Sequence, residues 1–252
     1  MWPELCGGLA THPDQALHKT DAALTVAWQL DHPFSLARAL SFAAWLYQFR
    51  REWRAAQEQA EMVIELTTEQ EIPIWTGVGT ILRGRALVEQ GRSEEGVAEI
   101  RQGLAVYRAT GAEMVRPYWL ALLAEGYAKL GRLEDGLSAL TEALTAARNT
   151  GERWWEAELY RLKGELSLRL DDPSWALSAA EECFCQALDI ARRQQAKSLE
   201  LRAAMSLARL WQHQGKRAAA YDLLAPIYGW FTEGFDTADL QEARALLDEL
   251  AR

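Results

Sequence analysis

Hydrophobic and polar positions along the chain follow a helical period and not a strand period. Runs with apolar residues every three or four positions are separated by short breaks, and Val, Ile and Thr never alternate over a strand-length stretch. The pattern predicts helices over residues 13–30, 34–49, 52–69, 73–90, 93–109, 113–130, 133–149, 152–170, 173–194, 197–214, 217–230 and 237–251.

The breaks between the helices recur at a fixed distance. Gly91 and Gly131 are 40 residues apart, and so are Gly111 and Gly151. Glycine after an apolar-periodic run is typical of a helix C-terminus, because its left-handed conformation costs little there. Each unit of 40 residues therefore contains two helices and two turns. Counted to the break at Ala196, the fourth unit is five residues longer.

Small residues occupy equivalent positions in these units. In the first helix of each pair the position is filled by Ala44, Gly84, Ala124, Gly164 and Ala208, and in the second helix by Ala56, Gly96, Gly136, Ala180 and Ala220. Small side chains allow two helix axes to approach closely. Three residues after the first position, an aromatic residue follows in three of the five units. This arrangement resembles the tetratricopeptide repeat, lengthened from about 34 residues.

Four segments carry a more specific resemblance, at 79–84, 116–125, 157–166 and 228–240. They are similar to the C-terminal repeats of bacterial adenylate/guanylate cyclase proteins with an AAA-type ATPase core, and the long units resemble those of MalT-like regulators. The resemblance extends from about Pro13 to the end of the chain. It implies a sensor or interaction region, and it supplies no catalytic residue for this segment.

The expected fold is all-α, a right-handed tetratricopeptide-like α-α superhelix, or solenoid, in a single domain over residues 1–252. Five full helix pairs follow an N-terminal half-repeat and precede a capping helix. Their predicted bounds are 1–31 for the half-repeat, 32–71, 72–111, 112–151, 152–196 and 197–236 for the pairs, and 237–252 for the cap.

Composition and charge argue against several classes of main partner. The net charge of −9 argues against nucleic acid, which is bound by basic surfaces. No run of apolar residues is long enough to cross a membrane, and the N-terminus lacks the basic region of a signal peptide. Three cysteines form an odd set that is poorly suited to a disulfide framework. We expect a cytoplasmic protein without a cofactor.

No motif in the sequence predicts catalysis or metal binding. Cys183 and Cys185 are two residues apart in a predicted helix and point about 200° away from each other, so they cannot chelate one ion. The run that begins at Gly77 lacks the Gly-Lys-Ser/Thr ending of a phosphate loop. We therefore expect a binding protein and not an enzyme.

The first helices of the pairs line the concave surface of such a superhelix, so their inward positions are candidates for binding. These candidates are Arg38, Trp45, Gln48, Arg85, Tyr118, Glu125, Arg161, Glu165, Arg202, Arg209 and Gln212. Arginine offers a planar fork for carboxylates, which predicts an acidic peptide or protein partner. In the alternative interpretation, Arg161 only pairs with Glu158 and Glu165 along a solvated face.

Two functions are consistent with the sequence. The favoured hypothesis is a scaffold for proteins or peptides, as the sensor or interaction region of a signalling ATPase or cyclase. The alternative is a sensor of small molecules or peptide ligands that uses the arginine-lined groove. The unpaired half-repeat also suggests self-association, since an unpaired helix exposes an apolar face.

Overall fold

A computed structural model describes residues 13–170 and 173–252, and within them the chain forms twelve α-helices and no strand. The helices are α1 (Pro13–Gln29), α2 (Pro33–Phe49), α3 (Trp53–Glu69), α4 (Pro73–Glu89), α5 (Ser93–Ala109), α6 (Arg116–Lys129), α7 (Leu133–Thr150), α8 (Glu156–Ser167), α9 (Pro173–Arg193), α10 (Lys197–His213), α11 (Arg217–Tyr228) and α12 (Ala238–Leu250). The predicted all-α class is confirmed, and ten helices begin and end within two residues of their predicted bounds. The predicted half-repeat falls partly on residues 1–12, outside the described residues.

Left-handed residues end the helices at regular intervals. They are Asp31, Arg51, Glu71, Gly91, Gly111, Gly131, Gly151, Gln195 and Gly215. At Gly91, with φ of +88°, the following amide of Arg92 donates to the carbonyl oxygen of Leu87 at 2.9 Å and closes the end of α4. Measured between Gly151 and Gln195, the fourth unit is 44 residues long, so it exceeds the others by about one helical turn. An added turn of this length keeps the buried face of a helix in register.

The described residues form two compact units, Asp14–Ala139 and Leu140–Arg252. In the first unit, α4 and α5 approach at two pairs of glycines. A Cβ atom at Gly96 would lie 2.4 Å from the carbonyl oxygen of Gly84, and one at Gly103 would lie 2.7 Å from that of Gly77. The two helices pack backbone against backbone, which confirms close approach at the predicted small positions.

The second unit has its own apolar core between α9, α10, α11 and α12. Its centre is formed by small and branched side chains together with Phe184, which is almost fully buried. A Cβ atom at Gly164 of α8 would lie 2.6 Å from the Phe184 ring. The last helix, α12, contributes four buried side chains on one face, namely Leu240, Ala243, Leu246 and Leu250.

Two helices begin later than predicted. Helix α6 starts at Arg116 and not at residue 113, because Val115 adopts a left-handed conformation with φ of 65° and Pro117 occupies the first turn, where its missing amide is tolerated. Helix α8 covers Glu156–Ser167 and not 152–170. Before it, Trp154 and Trp155 lie in a turn with their ring centroids 5.2 Å apart, and the Glu156 amide donates to the carbonyl oxygen of Arg153 at 3.0 Å.

The close contact between Gly96 and the carbonyl oxygen of Gly84 predicts that one added methyl group at position 96 lowers the stability of the fold. We expect Gly96→Ala to lower the free energy of unfolding by about 1–3 kcal/mol, because the new Cβ meets a backbone oxygen that cannot rotate away. Urea denaturation followed by circular dichroism measures the change. Ala98→Ser, on the exposed side of the same helix, serves as the control. An unchanged stability of Gly96→Ala would contradict the close packing of α4 and α5.

Candidate ligand-binding face

The predicted binding residues lie on the first helix of each pair, which we call the A helices: α2, α4, α6, α8 and α10. The second helices, α3, α5, α7, α9 and α11, are the B helices. Helix α12 follows α11 in the place of a further A helix. The structure divides the predicted residues between the two compact units, and within each unit most of them contact one another or a neighbouring helix.

In the first unit, the aromatic members of the set form an interior cluster. The Trp45 ring lies 5.1 Å from Tyr118 and 5.0 Å from Trp119, measured between centroids. The Gln48 side-chain amide donates to the Tyr118 hydroxyl. Trp45, Gln48 and Tyr118 are all buried, so they join α2 to α6 by packing and present little surface to a ligand. Trp119, which directly follows Tyr118 in the sequence, is also part of this cluster.

Arg85 is also buried, and it links two A helices. Its guanidinium lies 3.0 Å from the carboxylate of Glu125 on α6 and 3.0 Å from that of Glu89 on its own helix. It also lies over the Trp53 ring at 5.4 Å from the centroid. Lys129 adds a second contact between the helices, at 3.4 Å from Glu89. Two ion pairs between residues 40 apart therefore connect α4 and α6.

Two candidates of the first unit, Arg38 and Glu125, retain partial exposure. The Glu125 carboxylate is paired with Arg85, whereas Arg38 lies beside an aromatic ring. Its guanidinium carbon lies 5.7 Å from the centroid of the Phe42 ring, one turn further along α2. A cation over an aromatic face is a weak interaction at an exposed site.

In the second unit, Glu158 is the centre of a buried ion network. Its side chain is 2% exposed and accepts two hydrogen bonds from Arg161, at 2.7 and 2.8 Å. Arg202 of α10 lies 2.9 Å from the same carboxylate. Arg161 also pairs with Glu165, which accepts a hydrogen bond from Ser206 at 2.9 Å. The pairing of Arg161 with Glu158 and Glu165 considered above is thus present, and it extends across to α10.

The outer part of the α10 face contacts α12. The Arg209 guanidinium lies 3.2 Å from the Glu242 carboxylate, and both side chains are well exposed, by 44% and 40%. The Gln212 amide donates to Glu249 at 3.4 Å. Arg202 also reaches Asp239, at 3.8 Å. The candidates predicted from the sequence do not include these acids of α12, because the pattern does not show which of its residues lie next to α10.

The two described cysteines are unsuited to nucleophilic chemistry. Burial raises the pKa of the Cys183 thiol, and burial together with the nearby carboxylates of Glu181 and Asp189 raises the pKa of Cys185. Both thiols therefore stay protonated at neutral pH. Among the described residues no group of three or more His, Cys, Asp or Glu side chains could hold a metal ion. None of the described helices is long and apolar enough to cross a membrane.

Comparisons with known sequences identify a partial relative and no family. No family model matches the chain. An uncharacterised protein of Rhizobium meliloti (strain 1021) is 26% identical over 195 residues, which are 76% of this chain and 19% of that protein. The chain thus spans about a fifth of the length of the curated relative.

Solved structures of low sequence identity share the fold. A Rap protein complexed with competence and sporulation factor has a TM-score of 0.69 at 17% identity, over 93% of this chain and 62% of that one. The TPR-like repeats of a kinesin light chain from Podospora anserina have a TM-score of 0.55 at 20% identity, over 79% and 95%. A Signal Transduction ATPase with Numerous Domains from Pyrococcus horikoshii, which has a tetratricopeptide repeat sensor, has a TM-score of 0.54 at 17% identity, over 87% and 38%. The predicted tetratricopeptide-like solenoid is confirmed by these likenesses.

The buried network predicts that one carboxylate is important for stability. We expect Glu158→Gln to lower the free energy of unfolding by about 3 kcal/mol, because the buried Arg161 and its neighbour Arg202 lose their shared counter-charge. Chemical denaturation measures the change. Glu182→Gln removes an exposed carboxylate from the same unit and should alter stability by less than about 0.5 kcal/mol. Equal effects of the two substitutions would contradict a structural role for Glu158.

Proposed function

We propose that this protein is a non-catalytic scaffold that binds an acidic segment of a protein or peptide on the exposed part of the α10 face. The observation that supports this proposal most directly is the exposure of Arg209. Its side chain is 44% exposed, whereas the side chains of Arg85 and Arg161 are buried in ion pairs within the protein. Arg209 can therefore reach a carboxylate of a partner while the internal networks stay intact. The half-buried Gln212, one turn further along α10, adds an amide donor to the same face.

The chemistry of this face favours a carboxylate-bearing partner. A guanidinium donates in a planar fork that matches a carboxylate with two parallel hydrogen bonds. Arg202 is a poor contributor to such binding, because it lies 2.9 Å from the buried Glu158. We therefore assign binding to Arg209 and Gln212, and a structural role to Arg202. The remaining predicted residues belong mainly to the interior of the two units.

The proposed context is a longer cytoplasmic signalling protein with an ATPase or cyclase core, in which this chain is the sensor or interaction region. Two observations support it. The chain spans only 19% of its relative from Rhizobium meliloti, so that relative carries much additional sequence. The structurally similar protein from Pyrococcus horikoshii has a tetratricopeptide repeat sensor in a signal transduction ATPase.

A charge reversal at Arg209 tests the binding face. The probe is a short fluorescein-labelled peptide of Glu and Leu, and a peptide with Gln in place of Glu is the reference. We expect Arg209→Glu to weaken binding of the acidic peptide by about tenfold in fluorescence anisotropy, because attraction becomes repulsion. Arg193→Glu, which makes the same change at an exposed position of α9, should have little effect.

Two results would contradict the proposed function. One is equal binding of the acidic and the neutral peptide by the wild-type protein. The other is equal weakening by Arg209→Glu and Arg193→Glu, which would indicate a general effect of net charge.

The proposal includes self-association through α1. Along one side of this helix and the residue after it, Ala23, Val26 and Leu30 are exposed at helical spacing, and Val26 and Leu30 each expose more than half of their surface. Exposed apolar stripes of this kind mark interaction sites when they are contiguous. A second copy of the chain could cover the stripe with its own α1.

Sedimentation velocity over a range of concentrations tests this association. We expect a reversible dimer, and we expect Val26→Glu to shift it toward the monomer by at least about tenfold in dissociation constant, since it buries a charge. Thr25→Glu adds the same charge at an exposed neighbour outside the stripe and is the control. A wild-type protein that stays monomeric at every concentration would contradict self-association.

A further inference from the structure

Helix α12 places carboxylates along the face that we propose for binding. Glu242 lies 3.2 Å from Arg209, and Glu249 lies 3.4 Å from the Gln212 amide. Both members of the proposed binding pair therefore already contact an acid of the same chain. These contacts have the chemistry that the proposed partner would offer, namely carboxylates presented by an amphipathic segment.

The Arg209–Glu242 pair is suited to exchange. Its side chains are 44% and 40% exposed, and ion pairs with this exposure are weak because water and salt screen them. The helix itself is anchored independently by the buried Leu240, Ala243 and Leu246. Glu242 can thus change its rotamer and release Arg209 while α12 stays in place.

We infer that Glu242 of α12 is a built-in competitor, which occupies Arg209 until a carboxylate of the acidic partner replaces it. This inference rests on the proposed function, and it adds a device that sets the affinity of that site. The partner must exchange one ion pair for another at Arg209, so only a partner with further contacts on the α10 face binds tightly. Glu242 thereby discriminates against isolated carboxylates such as free glutamate.

Arg202 does not take part in this exchange. Its 3.8 Å contact with Asp239 is longer than the Arg209 pair, and its guanidinium is held at 2.9 Å by the buried Glu158. The Gln212 amide is uncharged, and its 3.4 Å contact with Glu249 is longer than the 3.2 Å contact of Arg209 with Glu242. We therefore assign the competition to Glu242, where a single substitution tests it.

The test compares binding of the same Glu–Leu peptide to the wild type, Glu242→Gln and Asp248→Asn. Asp248 is an exposed acid of the same helix, and its substitution changes net charge equally. We expect Glu242→Gln to bind about two- to fivefold more tightly, as release of a weak exposed pair allows, and Asp248→Asn to bind like the wild type. The gain should shrink as salt is raised.

A double-substitution cycle assigns the effect to Arg209. In an Arg209→Gln background, Glu242→Gln should no longer tighten binding, because the pair that it releases is already absent. Thermal unfolding by circular dichroism verifies that each variant keeps the wild-type fold.

Each outcome separates the inference from the proposed function. In one outcome, the wild type binds the acidic peptide, and Glu242→Gln binds it no better than Asp248→Asn does. That result refutes the role of Glu242 as a competitor and leaves the proposed function in place. A gain in peptide affinity from Glu242→Gln that persists in the Arg209→Gln background also refutes this role of Glu242. If neither the wild type nor Glu242→Gln prefers the acidic peptide over its Gln counterpart, both are overturned.

Discussion

The close approach of paired helices at small residues is the contact on which the rest of this structure depends. At Gly84 and Gly96, the backbones of α4 and α5 leave no room for a methyl group. At the corresponding place in α8, a Cβ atom on Gly164 would meet the ring of Phe184. Because these two pairs close on small residues, one side of α4 and one side of α8 are occupied by their own B helices. The opposite side is left for contacts with neighbouring A helices or with ligands.

That remaining side is used largely by the protein itself. In the first unit, Trp45 and Tyr118 fill it with aromatic packing, and Arg85 bridges α4 and α6. In the second unit, Glu158 neutralises two arginines at once. Buried charges are tolerated only when they are paired, so these residues maintain the contacts between A helices. The binding surface that we propose is therefore the exposed part of α10, around Arg209.

The helices and the repeat were predictable from the sequence, and the reason is local. Glycines such as Gly91 and Gly131 end helices through backbone conformation, and their spacing is visible without a structure. The late starts of α6 and α8 were not predicted. The left-handed Val115 precedes α6 and a turn at Trp154 and Trp155 precedes α8, and neither alters the apolar period.

The sequence by itself determined the helical class, the repeat length and which residues occupy the A helices, because these follow from periodicity and from small side chains at set positions. Only the tertiary structure decided which of the candidate binding residues are buried and which are exposed. Arg85 and Arg209 each directly follow the small residue of their A helix, yet Arg85 is enclosed by Glu89 and Glu125 whereas Arg209 lies beside the exposed Glu242. The difference arises from charges on neighbouring helices, whose distances no linear pattern encodes.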